Sequence, residues 1–265
     1  MILNNADNIL LGAAQVDKVM LGDQQVWSRV AYEELEWISN PVPIGHLLRP
    51  YVATDIHLNA FTDVMEVDAK FNPPPSGTYT NIPFGCASKR STDPSGRGQI
   101  TYAFFDNAAS TSDDRNYRYF MFYGTYGGGN YGKKRCTINI TDRNDREGRM
   151  LIRMAPSPSI TVNGHTYTPS IVDPSVDVYT FEPEDFTITS PLAIFSYAYM
   201  DPDIIFYKNI REWTFYGCKI YRSGALIHEL VPARRLSDGE VGIYNKSTGA
   251  FYENLGDISF TAPAT

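Results

Sequence analysis

The sequence predicts an all-β fold, a sandwich of antiparallel sheets. Three observations predict it. The 265-residue chain closes with four strand-like pieces separated by turns at Arg222-Ser223-Gly224, Ser237-Asp238-Gly239 and Lys246-Ser247-Thr248-Gly249. These turns supply Gly where positive φ is needed, with Ser or Asp to bond the backbone. The stretch Ile160-Thr161-Val162-Asn163-Gly164-His165-Thr166-Tyr167 sets an Asn-Gly turn between two alternating runs, the strongest short-range hairpin signal. Elsewhere short β-branched and aromatic runs recur at close spacing, with almost no helical periodicity.

Along the chain, Leu11-Gly12-Ala13-Ala14-Gln15-Val16 is followed ten residues later by Leu21-Gly22-Asp23-Gln24-Gln25-Val26. Each unit reads as strand, tight turn, strand. Two such hairpins bury no core alone, so they are expected to pack on the main domain, on another copy or on a different protein. Residues 1–30 are therefore read as a small docking module of two hairpins. Leu11, Val16, Leu21, Val26 and Trp27 are its candidate assembly residues. Residues 31–265 form the sandwich domain.

Residues 60–71 alternate, Val64, Glu66, Asp68 and Lys70 against Met65, Val67, Ala69 and Phe71. This is expected to be an outer or edge strand, stopped by Pro73-Pro74-Pro75-Ser76-Gly77. Further strands are expected at 82–87, 99–105, 117–123, 136–141, 149–154, 186–189, 192–199 and 213–221. A short helical turn is expected at 201–207.

Composition narrows the function classes. A net charge of −7 argues against a general grip on nucleic acid. The tight basic run Lys133-Lys134-Arg135, beside a Gly-rich loop, reads as a solvated loop edge. Cys86, Cys136 and Cys218 are odd in number and widely spaced, which speaks against a disulfide framework or a zinc knuckle and for a reducing compartment. Met1-Ile2-Leu3-Asn4-Asn5-Ala6-Asp7 lacks the basic start of a secretory signal. The longest apolar run, 191–200, is interrupted by Ser196, and no membrane insertion is expected.

Beyond Trp213 the residues carry a family resemblance. Lys219-Ile220-Tyr221, Val231-Pro232, Ser237-Asp238-Gly239, Val241-Gly242, Tyr244-Asn245, Thr248-Gly249, Phe251-Tyr252, Asn254 and Gly256 together resemble the end of a concanavalin A/laminin G-like jelly roll. Such domains are found in structural proteins of phages and prophages of gut bacteria. Leu35-Glu36-Trp37-Ile38 and Tyr51-Val52-Ala53-Thr54-Asp55 resemble two early strands of that domain, while Asn40-Pro41-Val42-Pro43 departs from its pattern. The resemblance covers roughly residues 32–262. It implies a jelly-roll sandwich in a virion, made in the cytoplasm of a host bacterium, and it transfers no catalytic or ligand-binding residue.

Several residue groups carry side chains capable of chemistry. Glu66-Val67-Asp68 begins like the E-x-D-x-x-E strand of jelly-roll glycoside hydrolases, whose alternate carboxylates share one face. Phe71 stands where the general acid belongs, so no catalytic residue is assigned and the chain is read as non-enzymatic. His46, His57, His165 and His228 fall at no metal-binding spacing. Asp142-Arg143-Asn144-Asp145-Arg146-Glu147 and residues 173–177 are acidic enough to suggest Ca2+, but they lack regular ligand spacing and read as solvated loops. No cofactor and no metal is expected. Gly127-Gly128-Gly129 is followed by no Lys-Ser/Thr and cradles no phosphate.

Residues 117–131 are the candidate binding segment, because aromatics here run into a glycine-rich tip. Tyr117, Tyr119, Tyr123, Tyr126, Asn130 and Tyr131 are its candidate ligand contacts: tyrosine rings stack on sugar faces, and hydroxyls and amides bond sugar hydroxyls. The polar loop 91–97 is a second candidate. Taken together, the sequence is expected to encode a tail-fibre or receptor-binding component. It would dock to other virion proteins, assemble with its own copies, and touch host or mucus glycans through loops. A capsid decoration or head-fibre protein is the structural alternative, and a polysaccharide depolymerase the enzymatic one.

Overall fold

The computed structural model describes residues 9–11, 14–16, 18–21, 24–28, 31–41, 50–59, 62–72, 77–78, 81–89, 99–110, 117–126, 133–146, 148–154, 157–169, 171–172, 188–200, 204–208 and 212–264. The fold is all-β, with antiparallel sheets. Strands β1 (Ile9–Leu11) and β2 (Ala14–Val16) pair as one hairpin, and β3 (Lys18–Leu21) and β4 (Gln24–Ser28) as another. Each forms a two-stranded sheet of its own. Leu11 lies opposite Ala14 and Leu21 opposite Gln24, so the strands pair as the repeat predicts.

Next come β5 (Tyr32–Glu34), β6 (Ile38–Ser39), β7 (Val52–Ala53), β8 (Asp63–Phe71), β9 (Gly77–Thr78), β10 (Asn81–Lys89), β11 (Gln99–Ser110), β12 (Tyr117–Tyr126) and β13 (Lys133–Asn139). A 3-10 turn at Arg143–Asp145 leads to β14 (Met150–Arg153), β15 (Ser159–Val162), β16 (His165–Tyr167) and β17 (Ile171–Val172). The chain finishes with β18 (Ala193–Ile194), β19 (Ser196–Met200), β20 (Ile204–Lys208), β21 (Trp213–Arg222), β22 (Ala225–Arg235), β23 (Val241–Asn245) and β24 (Phe251–Tyr252).

Two ten-stranded sheets carry the fold. The first runs β17-β13-β12-β11-β10-β18-β7, with β9, β19 and β20 paired at its side. The second runs β16-β15-β14-β8-β21-β22-β23-β24, with β5 and β6 attached. The sheets share one core, so the molecule is a sandwich: Phe84, Cys86, Tyr102, Phe104 and Ile138 of the first join Met65, Val67, Ala69, Phe71, Met150, Ile152, Phe215 and Ile220 of the second. Trp213 sits where they meet, its ring centroid 5.6 Å from Phe71, 5.9 Å from Phe84 and 4.4 Å from Phe195. The Tyr102 hydroxyl crosses the core, accepting from Met65 N at 3.0 Å and donating to Asp63 O at 3.2 Å.

Turn chemistry matches the sequence closely. Asn163 (φ 49°) and Gly164 (φ 81°) supply the positive-φ pair of a type I′ hairpin. Ser223 (φ 51°) and Gly224 (φ 83°) do the same between β21 and β22.

Five sequence expectations need correction. β8 is not an outer strand: it lies between β14 and β21, and Met65, Val67, Ala69 and Phe71 form a fully buried apolar face. The expected helical turn at 201–207 is strand from Ile204, because Ile-Ile-Phe-Tyr pairs with β19 from Met200↔Ile204 onward. The expected strand at 186–189 is absent over its described part: Ile188 and Thr189 are irregular, with Ile188 N bonded to Leu58 O at 2.9 Å. The basic run Lys133-Lys134-Arg135, next to the connection 127–132 as expected, is strand at the start of β13 rather than part of a loop. Asp145, expected in a solvated loop, is 1% exposed. The loops 91–97 and 173–177 lie outside the described residues.

Phe195 solves a topological problem. β18 runs antiparallel to β10 (Gly85↔Ala193, Phe84↔Ile194), yet β19 runs parallel to it (Cys86↔Ala198). The chain must reverse between them, and Phe195 takes φ 63° to do so. A left-handed non-glycine residue is strained. Burial against Trp213, Phe215 and Phe260 offsets that cost.

Candidate functional site

The first sheet positions the expected binding segment. Lys89 pairs with Gln99, Gln99 with Tyr126, and Gly124 with Lys133. Met200 lies beside Ser88. One end of the sheet therefore collects the ends of β10, β12 and β19 and the starts of β11 and β13. The connections 90–98, 127–132 and 201–203 all leave from it. Both segments singled out in the sequence thus depart from the same end.

The tyrosines themselves are less concentrated than the sequence suggests. Tyr117, Tyr119, Tyr123 and Tyr126 belong to β12, a strand paired on both sides rather than a loop tip. From Tyr117 to Tyr126 that strand spans about 30 Å. Tyr119 is in register with Ile138, and Tyr123 with Tyr102, both core residues. Tyr126, of opposite parity, lies at the end where the connections leave. Asn130 and Tyr131 lie outside the described residues. Leu11, Val16, Leu21, Val26 and Trp27 lie on β1, β2, β3 and β4 in turn, with Val26 and Trp27 together on β4.

Two carboxylates of β8, Glu66 and Asp68, face away from the core on the second sheet. Glu66 is in register with Arg153 on one side and Lys219 on the other, and Lys219 with Glu229. Arg153 donates to Glu66, and Lys219 Nζ lies 3.9 Å from Glu229. Arg149 clamps Asp68 with Nε–Oδ1 and Nη2–Oδ2 bonds of 2.7 Å each, while its guanidinium lies 3.9 Å above the Tyr216 ring. Burial, and then Glu66 nearby on the same face, raise the Tyr221 phenol above its ordinary pKa.

A second polar group lies where the 3-10 turn meets the β15–β16 hairpin. Asp145 Oδ1 accepts from Asn163 Nδ2 at 2.9 Å. Its Oδ2 accepts from Tyr167 Oη at 2.7 Å and lies 2.8 Å from His165 Nδ1. The Tyr167 hydrogen bond first, then His165 and Asn163, hold the Asp145 carboxyl below its ordinary pKa, although burial opposes them. Asp145 in turn raises His165. Ligand atoms of Asp142, Asp145 and His165 fall within 4.8 Å of one another. The donors already met by Asp145 make this a clamp between turn and hairpin. Sequence spacing could not show it, since twenty residues separate Asp145 from His165.

A third group is internal. Asp63 is wholly buried and takes Arg222 bidentately, at 2.7 and 2.8 Å, with Asn59 N adding a bond of 2.8 Å. Burial, with Asp63 nearby, pushes the Cys86 thiol far up, and burial does the same to Cys218. Neither is a reactive thiolate at neutral pH. His57 is exposed, and His228 is half-buried with Nδ1 3.0 Å from Asn245 Nδ2.

No family model and no curated protein matches the chain.

Proposed function

We propose that this chain is a non-enzymatic phage virion protein, a tail-fibre or receptor-binding component whose jelly-roll sandwich presents a glycan-binding surface. The observation that carries the reading is the shared exit of connections 90–98, 127–132 and 201–203 from one end of the first sheet. Recognition residues gather on loops held by a rigid scaffold. The long paired strands β10, β11 and β12 are such a scaffold. The connections carry Ser, Asp, Asn, Gly and Tyr, residues that give adaptable hydrogen bonds and rigid aromatic contacts.

Two further observations support it. The hairpins β1–β2 and β3–β4 are not hydrogen-bonded into either large sheet, which suits a docking module to other virion proteins or sister copies. Glu66 and Asp68 are each engaged by an arginine, and Phe71, where a third carboxylate would stand, is buried in the core. That favours binding over glycoside hydrolysis. Weak single sites on several copies would add through multivalency.

The test is binding of the recombinant chain to arrayed bacterial-surface and mucin glycans and to whole bacteria. Saturable binding that weakens on replacing residues 127–131 is expected. Silence on the array and on cells would contradict the reading.

A further inference from the structure

The outer face of the second sheet repeats one arrangement twice. A tyrosine of β21, a carboxylate of β8 and an arginine, either the last residue of β14 or the one just before it, stand together as Tyr221–Glu66–Arg153. They stand together again as Tyr216–Asp68–Arg149. Glu66 and Asp68 are alternate residues of one strand, so the two triplets are about 7 Å apart. Leu151, 46% exposed, lies across from Asp68 on the same face.

Three properties of this face matter for recognition. Its ionic groups balance, Arg149, Arg153, Lys219 and Lys70 against Glu66, Asp68, Glu229 and nearby Glu36, in a chain whose net charge is −7. The pairs hold one another in fixed orientation, so little ordering is left to a ligand. Pairing also leaves capacity unused: a guanidinium carries about five N–H donors and a carboxylate about four lone-pair sites, of which a bidentate contact consumes two each.

We propose that this face binds a neutral linear oligosaccharide, whose adjacent hydroxyls donate to Glu66 and Asp68 and accept from Arg153 and Arg149. The C–H faces of its rings lie on Tyr221 and Leu151. A hydroxyl both donates and accepts, so it can bridge a carboxylate and a guanidinium without breaking the pair. A charged ligand gains nothing from a balanced face. Adjacent rings of one sugar chain meet successive triplets. This rests on the glycan-binding reading above but assigns it to a different surface from the loop end.

The experiment titrates the full chain with cellohexaose, maltohexaose and chitohexaose, with sialyllactose as the charged control, by calorimetry and ligand-observed NMR. At least one neutral hexaose binds saturably. Tyr221→Ala and Arg153→Ala each weaken it about tenfold, in keeping with loss of one stacking ring or one charged hydrogen-bond partner, while each still melts in one cooperative transition within about 5 °C of the parent. The proposal is overturned if no neutral hexaose binds, or if both variants bind like the parent. Cell binding that persists in either case leaves the receptor-binding reading standing; loss of binding to cells and array alike removes both.

Discussion

Asp63 and Arg222 show what position does to an ion pair. Asp63 is fully buried, whereas Arg222 is 47% exposed. Removing the arginine leaves a buried carboxylate whose partners among the described residues are Asn59 N and the Thr62 hydroxyl. Arg222→Ala should cost about 2–3 kcal/mol in urea unfolding, below the value for a wholly buried pair because the guanidinium is half in water. Arg153→Ala, on the open face, should cost under about 1 kcal/mol. Equal costs would sink the burial argument. The Asp145–His165 contact makes stability depend on pH in two directions. An unfolded carboxyl titrates near 3.8 and is lowered here, so its contribution is full above 3.8 and lost as pH falls through the lowered value. An unfolded imidazole titrates near 6.5 and is raised here, so its contribution is full below 6.5 and lost as pH rises through the raised value. Both act together between about pH 4 and 6.5. Urea midpoints across pH should show the acid limb shrinking in Asp145→Asn and the alkaline limb shrinking in His165→Gln; superimposable profiles would contradict the clamp. This cluster was only half legible in the sequence. The Asn163-Gly164 turn announces itself, but nothing in Asp142-Arg143-Asn144-Asp145 says that the hairpin's side chains will fold back over the last aspartate.

Strands and turns were the most legible level, since each declares itself within a few residues. The closing meander and the Asn-Gly hairpin stand where their turn chemistry puts them, and the strands of the two early hairpins pair as their repeat predicts. Sheet order was not legible. β8 alternates visibly, yet its central place depends on β14 and β21, which lie far along the chain. The helical turn expected at 201–207 gives way to β20 from Ile204 because pairing with β19, not its own spacing, makes this stretch β. Glycine tests this level. Gly85 has φ 146°, and a Cβ there would stand 2.6 Å from the Ala103 Cβ. Gly85→Ala should therefore cost about 1–3 kcal/mol by parting β10 from β11. Gly164, at φ 81° with open space around it, pays strain alone, and Gly164→Ala should cost about 1 kcal/mol. Denaturant titration of both variants gives the ranking; a reversed order would mean that the β10–β11 contact yields easily.

At the scale of the molecule, Trp213 is the residue on which both sheets converge, touching Phe71, Phe84, Phe195 and Phe215. Trp213→Ala should remove about 3–5 kcal/mol. One cooperative transition should survive, because the sheets share a single large core. Two separate transitions would show that they fold independently. The sequence made an all-β sandwich readable through turn spacing and aromatic content. It left open which loops come together, because that depends on strand pairing across the sheet. The expected tyrosine cluster dispersed along β12 for the same reason, while the paired triplets of the second sheet come from three strands distant in sequence. The central claim is that this sandwich is carried outward on a virion to meet a host surface. Gold-labelled antibody against the chain, applied to intact particles under the electron microscope, tests it most directly. Label at the tail end is the expected result; label spread over the head, or on no particle at all, would contradict it.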